Sequence, residues 1–248
     1  MFFALPDGIT FTDRLKGWVN QTIAPWGYEV NNLRRQRVTT EDERVLQLRR
    51  YTYVRPDGSF DYQMYRSLQA AKNRHDIDQQ WTTQANMRWI GAYLTPRGPR
   101  FGLCHGAKKG TEVVWLREAL PGCHIVGTDI SETANDYPDA MIQWDFHETQ
   151  PAWIGATDFI YTNALDHSYD PEKALDAWVR CLRPGGVVII EWCNVGEALD
   201  VYDPFSADIL QLVYAITLWG KGAYCVREVV PTPKGRTEDL SFVIVHKF

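Results

Sequence analysis

Beyond residue 100 the chain alternates short apolar runs with segments whose apolar positions recur every three to four residues, the pattern of a parallel sheet joined by crossover helices. The runs predict strands at 100–104, 124–128, 141–144, 158–162 and 187–192, with helices over 111–120 and 171–182. The second helix carries its own start and stop signals. Asp170 stands as N-cap, Pro171 occupies the first turn, and Arg183-Pro184-Gly185-Gly186 follows the last one. Ala174, Leu175, Trp178 and Cys181 share a face. A further helix at 206–218 precedes two strands, 224–230 and 240–246, separated by the turn-rich 231–237. The result is an α/β fold, a seven-stranded, mostly parallel sheet closed by a C-terminal antiparallel hairpin.

The first 95 residues read differently. Thr12 to Ile23, Thr40 to Tyr53 and Asp76 to Leu94 show apolar spacing near 3.6, broken at Pro25-Trp26-Gly27, Pro56-Asp57-Gly58 and Thr95-Pro96-Arg97-Gly98-Pro99. This predicts a helical N-terminal extension over 1–95 and a second domain over 96–248. Charge separates them too. Residues 1–100 hold 15 Lys/Arg and 10 Asp/Glu, leaving 11 and 21 of the chain's 26 and 31 for the rest. The basic positions include Arg34, Arg35, Arg37, Arg44, Arg49, Arg50 and Arg55, able to face an anionic group or to form a solvated helix face paired with Glu41, Asp42 and Glu43.

At 45% hydrophobic and 23% charged, with a net charge of −5, the composition is that of a globular protein and excludes disordered and collagen-like chains. The acidic balance argues against a nucleic-acid partner. The longest mostly apolar stretch, Ile209 to Trp219, is interrupted by Gln211 and falls short of the roughly 20 residues of a membrane span. Met1 to Pro6 carries no secretory signature, so a cytoplasmic location is expected. Five scattered cysteines, none in Cys-x-x-Cys spacing, predict neither disulfides nor a zinc site.

Candidate chemistry gathers at successive strand ends. Phe101 to Glu112 runs from strand through a loop holding Gly106 and Gly110 into a helix, an arrangement that lets backbone approach a ligand closely. Asp129, with Ile130 beside it, ends the next strand 23 residues after Gly106, where a carboxylate accepts from ribose hydroxyls. The third strand ends in Gln143-Trp144-Asp145-Phe146, a carboxylate for an exocyclic amine and rings for a base.

With these positions in place, the stretch from Asp158 through Asn163-Ala-Leu-Asp-His167 to Leu182-Arg-Pro-Gly-Gly186 resembles the fourth strand, loop, helix and turn of class I S-adenosylmethionine-dependent methyltransferases. The resemblance spans about 98–194 and implies a Rossmann-like, doubly wound sheet. It implies that the loop from Leu103 to Gly110, with Cys104, His105, Gly106 and Gly110, surrounds the amino-acid part of S-adenosylmethionine. It further implies that Asp129 holds the ribose, Asp145 and Phe146 face adenine, and Asn163 to His167 line the methionine side. The first loop departs from the family, replacing its acidic residue and Gly-x-Gly with Cys104-His-Gly-Ala-Lys-Lys-Gly110. Pro25-Trp-Gly-Tyr-Glu-Val30 is similar to a stretch of stand-alone enzymes that modify surface sugars, which implies a small-molecule or glycan acceptor and O-methylation.

A hydroxyl acceptor needs a base, and Asp166 and His167 are the candidates; His167 can equally pack at the cofactor edge or fix its loop. These two with Asp145 and His147 match no common metal motif. Two other classes remain: a non-catalytic sensor or partner subunit keeping the cofactor pocket, and a short-chain dehydrogenase. The dehydrogenase needs Tyr169 and Lys173 inside one helix, whereas Pro171 starts the helix after Tyr169.

Overall fold

The computed structural model describes residues 48–196, 199–233 and 239–248, together with the backbone of 39–41. Contacts group the chain into Met1–Gln36 and Arg37–Phe248, and every described residue belongs to the second unit. The expected helix Thr12 to Ile23, the stretch Pro25 to Val30, and Arg34, Arg35, Arg37 and Arg44 lie outside the described residues.

In chain order, β1 (Thr39–Glu41) and β2 (Leu48–Arg50) precede α1 (Tyr62–His75) and α2 (Gln84–Leu94). Next come β3 (Phe101–His105), α3 (Thr111–Ala119), β4 (His124–Asp129), β5 (Met141–Gln143), β6 (Thr157–Thr162), α4 (Pro171–Cys181) and β7 (Leu182–Cys193). The chain closes with β8 (Phe205–Ser206), α5 (Ile209–Gly220), β9 (Tyr224–Pro231) and β10 (Leu240–Lys247). The main sheet has the order β5-β4-β3-β6-β7-β10-β9. β5 through β7 pair in parallel, and β10 runs antiparallel to both β7 and β9. The strand order reverses on either side of β3, which makes its C-terminal end the switch point where open α/β sheets bind ligands.

Strand alternation divides the core. Val188, Ile190, Val243 and Val245 face one way, into a cluster with Leu175 and Trp178 of α4 and Leu212 and Ile216 of α5. Their neighbours Val187, Ile189, Phe242 and Ile244 face the other, against Met87 and Ile90 of α2 and Val113 and Leu116 of α3. A sheet covered on both faces needs continuous apolar strands, and Val187-Val-Ile-Ile190 is such a run. The helix signals act as predicted: Asp170 accepts from the Lys173 amide at 3.2 Å, and α5 opens with a reciprocal Asp208–Gln211 capping box.

The N-terminal expectations change. Over Thr40 to Tyr53 the structure has β1 and β2 in an antiparallel pair, and β2 also pairs with β8, so the expected helix does not form. Leu48 joins the main core and Tyr53 is buried against Tyr65, ring centroids 5.3 Å apart, so tertiary burial overrides the helical spacing. Of the expected helix Asp76 to Leu94, only Gln84–Leu94 is helical, as α2, and 76–83 is a non-helical connection from α1. The Thr83 side chain caps α2 by accepting from the Asn86 amide, and α1 begins earlier, where Asp61 accepts from the Met64 amide at 3.0 Å. Buried positions on α1 include Gln69 and Asn73, polar residues that blur an apolar period. No helix among the described residues is long and apolar enough to cross a membrane.

Candidate active site

The ends of β3, β4 and β5 meet at one cavity, roofed by α1. Its walls include Gly106, Asp129, Ile130, Asp145 and Phe146 from the sheet side, with Tyr65, Gln69, Lys72 and Asn73 from the helix. Gly106 sits at φ +71°, and a Cβ there would lie 2.4 Å from the Ala164 Cβ, so backbone alone fits at this point. Asp129 accepts from the Lys108 amide at 3.1 Å and the Ser131 amide at 2.9 Å. The strand end predicts an exposed carboxylate, yet Asp129 is only 7% exposed because α1 covers it. Burial raises its pKa, against the two amide bonds that favour the charge.

Asp145 is more heavily bonded. Its Oδ1 accepts from the His147 amide at 2.9 Å and lies 2.7 Å from His147 Nδ1, while Oδ2 accepts from the Tyr62 hydroxyl at 2.8 Å. A carboxylate only accepts, so Nδ1 carries the proton, and the other ring nitrogen, Nε2, is left to accept from Ser168 Oγ at 2.7 Å. Burial opposes charge on both partners; the bonds from His147 and Tyr62 hold the Asp145 carboxyl below its usual range, while burial keeps the His147 imidazole below its own.

Other predicted residues stand elsewhere. Cys104 is a core side chain, where burial pushes its thiol far up. His105 is buried with Nδ1 2.8 Å from Thr128 Oγ1 and its ring tilted on Trp178; burial lowers its pKa to about 3, so it stays neutral. Gly110 caps α3 at φ +80° and faces Met141 and Ala140 rather than the cavity. Cys104 and His105 pack on opposite sheet faces, as consecutive strand residues do, and Gly110 lies beyond the strand at the helix start. Lys108, the unusual loop residue, lines the cavity and donates Nζ to the carbonyls of Asp76 and Gln79, tying down the segment between α1 and α2.

A second cavity, about 140 Å3, adjoins the first; Lys72 and His167 line both. Asn163, Asp166, Trp81, Glu191, Trp192 and Asp203 contribute to its walls. His167 Nδ1 lies 2.8 Å from the Tyr202 carbonyl and 3.1 Å from Asp203 Oδ1. Burial works against the imidazolium, but Asp166 and Asp203 outweigh it and raise the His167 pKa to about 9. The ligand atoms of these three residues lie within 4.8 Å of one another, an ion triad organised around a held proton. Glu191 is buried and accepts from Thr82 Oγ1 and Tyr161 OH, both at 2.7 Å, and from Asn86 Nδ2 at 2.9 Å. Burial raises its pKa, as it does for the buried Glu112, which reaches about 7.

Trp81, in the segment between α1 and α2, lines the second cavity. Trp89 and Tyr93 stack with each other and Trp89 stacks on Phe242, against the core cluster under α2. Arg49 donates to Ser206 Oγ, Arg50 pairs with Asp170 at 3.9 Å, and Arg55 pairs with Asp61 at 3.9 Å, so these arginines hold the scaffold. Tyr169 stacks on His147 at 3.9 Å and accepts from Lys173 Nζ at 3.4 Å, but it precedes α4, so the two do not share one helix as the relay of a dehydrogenase requires. Tyr62, Lys72, Glu191 and Asp203 are site residues that spacing did not reveal.

Residues 103–190 match the protein family described as "Methyltransferase domain", within a Rossmann-like fold. Similar solved structures include Burkholderia thailandensis 1,6-didemethyltoxoflavin-N1-methyltransferase with 1,6-didemethyltoxoflavin and S-adenosylhomocysteine bound, at TM-score 0.58 and 16% identity over 84% of this chain and 99% of that one. The plantazolicin methyltransferase BpumL with S-adenosylhomocysteine gives 0.56 and 14%, over 74% and 95%. The mitomycin 7-O-methyltransferase MmcR gives 0.53 and 12%, over 66% and 54%. At these identities the likeness establishes the fold. No curated protein sequence matches the chain.

Proposed function

We propose that the protein transfers a methyl group from S-adenosylmethionine to a small-molecule acceptor, with the cofactor in the cavity under α1 and the acceptor in the cavity beside it. One observation carries this reading: Gly106, Asp129 and Asp145 converge from three strand ends on a cavity that shares Lys72 and His167 with a second one. The residues suit the cofactor. Bare backbone at Gly106 admits close approach, Asp129 has lone pairs for a ribose diol, and Asp145 between Ile130 and Phe146 suits an adenine. The bound cofactor supplies an already activated methyl, so the chain's task is mainly placement.

The first cavity measures about 50 Å3, against roughly 300–1,000 Å3 for pockets that take ligands of this size, so α1 must lift to admit it. His167, carrying a proton near neutral pH, is a poor general base there. Its place is electrostatic, positioning Asp166 and Asp203 at the acceptor wall. The O-methylation and surface-sugar readings rest on the base assignment and on Pro25 to Val30, and both are narrower than the site supports. The titration of His167 favours an acceptor atom that needs no strong base.

The test is transfer of labelled methyl to a panel of heteroaromatic amines, phenols, carboxylates and nucleotide sugars. Turnover on any member, lost with competing S-adenosylhomocysteine, supports the reading. Cofactor binding with no transfer to any class would favour a sensor or partner subunit.

A further inference from the structure

The second cavity selects by charge. Its wall holds three carboxylates, Asp166, Glu191 and Asp203, against two cations, Lys72 and His167. His167 is engaged by Asp166 and Asp203, and Lys72 reaches Asp76 at 3.3 Å, outside this cavity. Glu191 differs from the others. Its hydrogen-bond partners, Thr82, Asn86 and Tyr161, are all neutral, and it is only 6% exposed. Burial raises the pKa of this carboxylate held by neutral donors, and a cation arriving with a ligand offsets that cost and holds the carboxylate ionised. Trp81 lines the same cavity, and indole faces attract cations as well as flat rings; Trp192, next to Glu191 on β7, turns its indole to the other sheet face, where it donates to the Ala207 carbonyl at 3.1 Å. The volume, about 140 Å3, matches a single ring, since a cavity of about 150 Å3 holds benzene.

Building on the proposed methyltransferase reading, we infer that the acceptor is a compact flat ring bearing a positively charged nitrogen group, recognised by Glu191 and the indole of Trp81. The cationic group is what the site recognises; the methylated atom is another position presented toward the shared wall at His167 and Lys72. Anionic acceptors such as carboxylates and phosphates are excluded by the same field.

Calorimetric titration of the full chain, loaded with S-adenosylhomocysteine, compares benzamidine with benzoate, a cation and an anion of one ring size. The expected result is benzamidine binding at least about tenfold tighter, or about 1.4 kcal/mol. Glu191→Gln abolishes that preference, and Trp81→Ala, at a ring 44% exposed and so not needed for folding, loses benzamidine binding. Equal affinities, a preference for benzoate, or a preference that survives Glu191→Gln overturns the inference. The wild-type comparison decides even if Glu191→Gln folds poorly. Heat from S-adenosylhomocysteine is recorded first, and its absence counts against the methyltransferase reading; the two ring probes, titrated into the free chain, still answer the acceptor question separately.

Discussion

Tyr62, in the first turn of α1, donates its hydroxyl to Asp145 at 2.8 Å, fastening the helix that roofs the cofactor cavity to the carboxylate assigned to adenine. Tyr65 OH donating to the His167 carbonyl at 3.1 Å and Gln69 Nε2 donating to the Tyr202 carbonyl at 2.8 Å extend the same fastening along the helix. On the proposed placement of the cofactor, binding and release of the nucleoside run through α1.

Tyr62→Phe removes one of these ties, a bond to a charged acceptor worth about 1.5–3 kcal/mol. The ring still packs, so the fold persists while the roof opens more often. Stopped-flow association of S-adenosylhomocysteine should accelerate several-fold. An unchanged or slower association rate would remove α1 as the gate.

Asp129→Asn separates ribose binding from structure. The amide oxygen keeps one of the two backbone bonds to Ser131 and Lys108, whereas Asp129→Ala leaves both buried donors without an acceptor, at about 1–3 kcal/mol each. Asparagine should weaken S-adenosylhomocysteine binding by about tenfold or more with a modest loss of melting temperature. Normal affinity in a folded variant would place the ribose elsewhere.

Gly106→Ala places a Cβ 2.4 Å from the Ala164 Cβ at a φ of +71°. The left-handed conformation alone costs about 1–2 kcal/mol for an L-residue, before the contact is relieved. Chemical denaturation should show at least that loss, and cofactor affinity should fall because the loop moves. Wild-type stability would mean that the loop geometry is adaptable.

His167 gives the pH dependence. Its folded pKa of about 9 stands above the ordinary 6.5, so its contribution to stability is complete below about pH 6.5 and is lost as pH rises through about 9. Between those values the unfolded chain binds fewer protons than the native one, and stability falls with pH. The stability difference between wild type and His167→Gln, followed by denaturant titration from pH 6 to pH 9.5, should shrink steadily as pH rises. A difference that is flat or grows would show that the native imidazole is not held protonated.

The parallel sheet was legible because strands buried on both faces write themselves as apolar runs, as in Val187-Val-Ile-Ile190, and because Asp170-Pro171 marks a helix start by chemistry that needs no partner. The region before residue 95 was less legible for a physical reason. The α1 face toward the cavity is Tyr65, Gln69, Lys72 and Asn73, so its buried side is mostly polar and lacks an apolar period, and β2 takes its conformation from pairing with β8, some 155 residues away in the chain. The same rule holds in the site. Asp129 and Asp145 stand at or just after strand ends and could be read from spacing, whereas Glu191 and Asp203 enter the wall of the second cavity only through tertiary packing. His167 was visible as a titratable group, but the charge that fixes its proton comes partly from Asp203, which spacing does not connect to it.

The most direct measurement is calorimetric titration of the full chain with S-adenosylmethionine, S-adenosylhomocysteine and NAD. The account predicts binding of the first two with dissociation constants in the micromolar range, about −8 kcal/mol, and no heat from NAD. Heat from NAD with none from either sulfur nucleoside would contradict it and return the site to the dinucleotide-binding enzymes.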